Sequence, residues 1–220
     1  MIRFFVVLLF LVFLSVQGFS QAKTVETYFL KNGLKVVLIK DNTVPITLAS
    51  LVIKSGKDMD PTGLENMAHV VEHIMFIGPM KAYLTYRNTR ALRATFAETR
   101  NHATFYNYNA MNNFQDKLLD LISQFFKDHK FSKKALDHGK RTVLQEKMAN
   151  FQQAHNFSPT TGLGSTILPE LKNINVSNAE TWTNRWYVPN NAILVIMGNL
   201  NIEKVKKMIN ERFSIYSKKI

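Results

Sequence analysis

The feature that most constrains this chain lies near its start, where two strand-forming runs flank Lys31-Asn32-Gly33. Asn-Gly supplies the positive φ angles that a tight hairpin turn needs, so antiparallel strands are predicted over Thr24 to Leu30 and Leu34 to Lys40. Asp41 to Pro45 reads as a second turn, and the mostly apolar run Ile46 to Lys54 reads as a third, well-covered strand. Three consecutive strands with short links predict an antiparallel meander.

Downstream the period changes. Asp60-Pro61 is a helix start, with Asp as N-cap and Pro at the first helical position, and the helix is predicted to run to Phe76 or Ile77. Thr85 to Ala97 reads as helical, Asn101 to Met111 as strand, and Phe114 to Lys127 as an amphipathic helix. Ser132 caps a helix from Lys133 to about Gln153, and Asn156 to Asn175 is loop-rich. Ser177 and Glu180 make a capping box for a short helix ending before Pro189. Ala192 to Met197 is a buried strand closed by Gly198, and Asn201 caps a last helix, Ile202 to Phe213. This order predicts one α+β domain over 23–220, an antiparallel-rich mixed sheet with helices packed on one face. Its 46% hydrophobic residues are enough for a core. With no cysteine, disulfides, thiolate metal sites and cysteine catalysis are excluded.

Residues 1–22 differ from all that follows. Arg3 precedes the uncharged, apolar run Phe4 to Val16, and Ser20-Gln21-Ala22 places small residues before a cut. This is the layout of a secretory signal peptide, and the run is short for a spanning helix. The expectation is a mature chain beginning near Lys23 in the periplasm or outside the cell, with no stable membrane span after cleavage. The net charge of +12 is spread over the surface, without a block of five or more basic residues, and nucleic acid is not an expected partner.

The chemistry-bearing cluster is His69-Val70-Val71-Glu72-His73, inside the helix that Asp60-Pro61 begins. Positions i and i+4 share a helix face, so both imidazoles can reach one metal ion, and Glu72 lies on the edge of that face. Two neutral imidazoles suit Zn²⁺, and a catalytic zinc takes a third protein ligand and keeps one position open. Histidine pairs also line ordinary cores, but this five-residue pattern is expected by chance in about one in 150 chains of this composition. The other histidines carry less: His102 is either near the cleft or solvated, and His129, His138 and His155 fall in polar stretches and read as surface.

The string Ala68-His69-Val70-Val71-Glu72-His73-Ile74-Met75-Phe76 resembles the insulinase/pitrilysin family of zinc metallopeptidases, whose motif is His-x-x-Glu-His. The resemblance implies that His69 and His73 bind one zinc ion per chain and that Glu72 is the general base. It implies a third ligand at Glu146, which follows Val143-Leu144-Gln145 and lies 73 residues beyond His73. Asn32 to Val37 resembles the family's opening hairpin, and Trp186 to Asn191 with Ile193 to Asn199 resembles its closing loop and strand. Asn101-His102-Ala103-Thr104 resembles the family's Asn-Ala-x-Thr stretch, on an edge strand that accepts substrate by strand addition, which makes Asn101, Ala103 and Thr104 substrate-binding candidates.

The chain departs from the family pattern at Asn66, where glycine is usual, at Ile77-Gly78-Pro79, and at Gly139, where a supporting Glu is usual. Family peptidases close a chamber with at least two such domains. The resemblance therefore implies an exported zinc-dependent endopeptidase for extended or unfolded peptides, completed by a second family domain, a partner chain or a homodimer. The other reading is a non-catalytic or remnant half-chamber subunit that binds peptides or a partner peptidase.

Overall fold

The computed structural model describes residues 23–43, 45–76, 92–155 and 169–218. The expected leader over 1–22 lies outside the described residues, as do 85–91 of the expected second helix and 156–168 of the expected loop. Six strands form one mixed sheet: β1 (Thr24–Phe29), β2 (Lys35–Lys40), β3 (Ile46–Ile53), β4 (Leu92–Thr99), β5 (Thr104–Met111) and β6 (Ala192–Gly198). The helices are α1 (67–76), α2 (Gln115–Ser123), α3 (Lys133–His155), α4 (Pro169–Lys172), α5 (Val176–Trp186) and α6 (Ile202–Phe213).

β1 and β2 form the expected hairpin, with Phe29 opposite Lys35 and Gly33 at φ 86°. The meander does not continue. Strand order is β1-β2-β6-β3-β5-β4, so β6 lies between β2 and β3, parallel to the first and antiparallel to the second. The reason is composition: the apolar run Ala192-Ile-Leu-Val-Ile-Met197 suits a central position, where alternate side chains are buried and the rest half-covered. Asp41 then turns the chain away, its amide donating to the Gly198 carbonyl at 2.8 Å.

Residues 92–97 are strand, not helix. Arg, Ala and Glu favour helix locally, but pairing with β5, through a bulge between Arg93 and Phe96, overrides that weak preference. Among the described residues β4 is an edge strand of the sheet.

Side chains alternate along the strands, and one face carries the core. Val36, Leu38, Leu51, Ile53, Tyr106, Leu194 and Ile196 pack there against Met67, Val70, Val71 and Ile74 of α1 and against α2, α3, α5 and α6. Two helix starts differ from the expected ones. α1 begins at residue 67, six residues late, because Gly63 (φ 78°) and Asn66 (φ 73°) hold the intervening backbone in left-handed turns. Asp60 still caps it, its carboxylate accepting from the amides of Asn66 and Ala68 at 2.8 Å each. The capping box of α5 is Asn175 with Asn178, two residues earlier than Ser177 with Glu180. Glu180 instead accepts from the Phe131 amide at 2.7 Å and from Lys130 at 3.2 Å. The Asn201 cap and the Ser132 cap are as expected, each accepting an amide hydrogen bond at 3.1 Å.

Candidate metal centre

α1 is buried on nearly every side, which follows from its sequence: Met67, Ala68, Val70, Val71, Ile74 and Met75 are all in the core. His69 and His73 are the face left over, and they turn toward α3. Their rings lie 4.8 Å apart between centroids, with the two Nε2 atoms 3.1 Å apart. α3 crosses this face and delivers Glu146, whose Oε2 is 3.0 Å from His69 Nε2 and whose Oε1 is 3.5 Å from His73 Nε2. The structure thus brings together the three residues that the sequence picks out as ligands.

The donor chemistry fits a zinc ion. Around a tetrahedral ion with bonds of about 2.05 Å, donor atoms are about 3.3 Å apart; here the two imidazole nitrogens are 3.1 Å apart and each meets a different Glu146 oxygen, at 3.0 and 3.5 Å, with one ligand atom from each residue lying within 4.8 Å of the others. Burial lowers the His69 pKa to about 4, and the neighbouring His73 lowers it further against the pull of Glu146. Burial also lowers His73. Both rings are therefore neutral at pH 7, the form in which imidazole ligates a metal. Two lone-pair-bearing nitrogens and a carboxylate aimed at one point make a cation-binding geometry.

Glu72 occupies the adjacent edge of α1 and is 4% exposed. Burial raises its pKa to about 7, the negative Glu146 adds to this, and hydrogen bonds from Thr99 oppose it. The Thr99 hydroxyl donates to Glu72 Oε2 at 2.7 Å. Glu72 is thus poised to exchange a proton near neutral pH and is held by a residue of β4. A cleft of about 310 Å³ opens here, with His69, Glu72 and His73 on one side, Ala97, Glu98 and Thr99 of β4 on another, and Glu146 closing a third.

The substrate-binding candidates fall elsewhere. Asn101 and Ala103 lie in the turn between β4 and β5, and Thr104 is the first residue of β5, an inner strand. The backbone of that turn is already engaged: the Asn101 carbonyl accepts from Asp58 at 2.9 Å, and Ala103 accepts from the Arg100 amide at 2.9 Å. Thr104 is fully buried, its hydroxyl donating to the Ser55 carbonyl at 2.9 Å. The strand beside the cleft is β4, and the Ala-x-Thr spacing is met there by Ala97-Glu98-Thr99, with Phe96 in the Asn position. The helical reading of 85–97 concealed that spacing.

His102 is 87% exposed and pairs with Asp58 at 2.6 Å, away from the metal face. His129 is buried rather than superficial. Its amide donates to Asn184 at 3.0 Å, and its Nε2 lies 3.1 Å from the Phe125 carbonyl, so a local cluster of α2 and α5 neighbours covers it.

Comparison with known proteins bears on the family and the fold. The model of the insulinase family, peptidase family M16, matches residues 35–167, and the model of the peptidase M16 inactive domain matches residues 173–219. The chain is 28% identical over 209 residues to insulin-degrading enzyme of Drosophila melanogaster, covering 84% of this chain and 21% of that one. Two further relatives carry zinc-protease names. Among solved structures, a protease from Helicobacter pylori superposes with TM-score 0.74 at 17% identity, over 90% of this chain and 52% of that one. The periplasmic protease PqqL from Escherichia coli does so with TM-score 0.73 at 19% identity, over 90% of this chain and 24% of that one. The chain thus spans about a fifth of the first relative and about half of the first of these two structures.

Proposed function

Because this chain belongs to the insulinase family, peptidase family M16, we propose that it is the metal-bearing part of an exported zinc peptidase acting on extended peptides. The observation that carries the reading is the convergence of His69, His73 and Glu146 on one point, with Glu72 beside them and an edge strand bordering the cleft. His69, His73 and Glu146 would hold one zinc ion. Zinc in such a site supplies Lewis acidity to water and to a substrate carbonyl.

The protein's own groups do the rest. An extended peptide adds to the edge of β4 that no strand covers among the described residues, where backbone groups select a strand and no particular side chain. That docking sets the scissile bond against the face bearing Glu72, so that orientation is bought by the strand and not by a loop. Glu72, held at Oε2 by Thr99, accepts a proton from the attacking water and returns it to the leaving nitrogen.

The cleft is open, and its relatives are several times longer than this chain. A second M16-type domain, whether in one longer chain, on a partner chain or in a homodimer, completes the chamber and excludes water, which strengthens the electrostatics around the developing charge. Export rests on the Arg3 and Phe4 to Val16 layout, with cleavage before Lys23. No helix among the described residues is long and apolar enough to cross a membrane.

The test combines zinc content with peptide hydrolysis at rising protein concentration, with and without co-purifying chains from the native host. One zinc per chain is expected, abolished in His69→Ala, together with hydrolysis that depends on assembly and is lost in Glu72→Gln. Hydrolysis that survives Glu72→Gln refutes the role of the base. Zinc without hydrolysis in any assembly moves the protein to a non-catalytic half-chamber subunit.

A further inference from the structure

Gly139 lies on α3, two helical turns before Glu146 and on the same face, since seven residues bring a helix almost back to its starting angle. It is buried against α1. A Cβ on Gly139 would lie 2.8 Å from the Val70 carbonyl oxygen, 3.1 Å from Ile74 Cγ1 and 3.4 Å from Val70 Cγ1. Val70 and Ile74 each follow directly after a histidine of the metal face. The helices therefore approach closely at the turn of α1 that carries both imidazoles. The obstacle is chiefly a backbone carbonyl within an intact helix, which cannot swing aside as a side-chain end could.

We propose that Gly139 is a positioning residue for the third metal ligand: its missing side chain lets α3 seat on α1 closely enough for the Glu146 carboxylate to meet His69 and His73. The inference rests on the zinc reading above. It also accounts for glycine where the family resemblance implies a supporting carboxylate, because a side chain of any size there meets the Val70 carbonyl. In this chain the ligand is held by helix spacing in place of a hydrogen-bonding neighbour. Relieving a 2.8 Å contact to ordinary van der Waals distance needs a shift of about 0.5 Å, which exceeds the roughly 0.2 Å tolerance of metal–ligand distances.

The experiment is a double-mutant cycle on the full chain, read by zinc affinity from competition with a chromophoric chelator and by thermal unfolding without metal. Gly139→Ala is expected to weaken zinc binding about 10- to 100-fold, the range seen when a metal ligand loses its support. In a Glu146→Gln background it is expected to change zinc affinity less than about threefold, because the ligand it positions is gone. The metal-free Gly139→Ala protein is expected to melt lower than wild type, although alanine normally stabilises a helix interior relative to glycine. Unchanged zinc affinity in Gly139→Ala, or equal losses in both backgrounds, overturns the proposal and leaves the metal reading standing. A wild-type chain that binds no zinc overturns the metal reading and this one with it.

Discussion

Replacing Glu72 by glutamine should make the metal-free chain more stable at neutral pH while disabling it. The folded carboxyl has a pKa near 7 against 4.5 in the unfolded chain, so the folded state holds this proton more tightly. Stability from this group is fully present below pH 4.5 and is lost as pH rises through 7. At about 1.36 kcal/mol per pH unit, the loss is about 3 kcal/mol. The side chain is only 4% exposed, so solvent screening does little to reduce it. Glutamine has the same shape, still offers an oxygen to the Thr99 hydroxyl, and carries no charge to desolvate. Any fixed cost of seating its amide appears equally at every pH and cancels in the difference.

The assay is urea unfolding of chelator-treated wild type and Glu72→Gln at pH 4 and pH 8. With a slope of about 2 kcal/mol per molar urea, the midpoint gap between the two proteins should widen by about 1.5 M on going from pH 4 to pH 8. Groups present in both proteins, His69 and His73 among them, drop out of the comparison. A gap that stays constant with pH would refute the reasoning, since it would mean that Glu72 ionises in the folded chain as freely as in water. A gap that widens identifies the buried base as a place where stability is given up for reactivity.

Four further outcomes can be measured. His69 has a pKa lowered to about 4 and His73 is lowered as well, so zinc affinity should fall with acidification later than it would for ordinary imidazoles, and isothermal titration at pH 7.5, 6 and 4.5 checks this. By the same sign, these two rings favour the metal-free fold above pH 6.5 and should withdraw that support as pH falls toward 4, seen as a falling melting temperature. Asn66 sits at φ 73°, so Asn66→Ala should cost about 1 kcal/mol in urea unfolding, whereas Asn66→Gly should be close to neutral. Edman sequencing of the exported protein should begin near Lys23, and a retained Met1 in a membrane fraction would point to an anchor instead.

What could be read from the sequence depended on how local its cause is. Two histidines four apart on a helix share a face whatever the rest of the chain does, so the pairing of His69 with His73 was legible before any fold was known. Asn201 and Ser132 likewise cap helices through amides three residues away. The errors lie where distant segments decide. β6 separates β2 from β3 because a more apolar strand, some 150 residues on, takes the central place. Residues 92–97 are strand because β5 supplies hydrogen-bond partners that outweigh the helical bias of Arg, Ala and Glu. That helical reading hid the Ala-x-Thr spacing of Ala97-Glu98-Thr99 on β4 and left Asn101, Ala103 and Thr104 as the substrate candidates, the first two of which lie in the turn before β5. Asn66, read only as a departure from glycine, turns out to occupy a left-handed position that asparagine tolerates.

The site draws its parts from three segments that nothing local holds together. His69, His73 and Glu72 come from α1, Glu146 from α3 and Thr99 from β4, and their approach depends on the packing of Val70 and Ile74 against Gly139 and on the pairing of β4 with β5. In the unfolded chain the third ligand is separated from the pair by some 70 residues. A metal ion held by all three therefore binds the folded state far better than the unfolded one, and binding energy becomes folding energy. At free zinc about 1,000-fold above the dissociation constant, this linkage adds about 4 kcal/mol, roughly the size of the cost that the buried Glu72 imposes. A zinc ion held by His69, His73 and Glu146 would thus offset the cost of burying the Glu72 carboxylate.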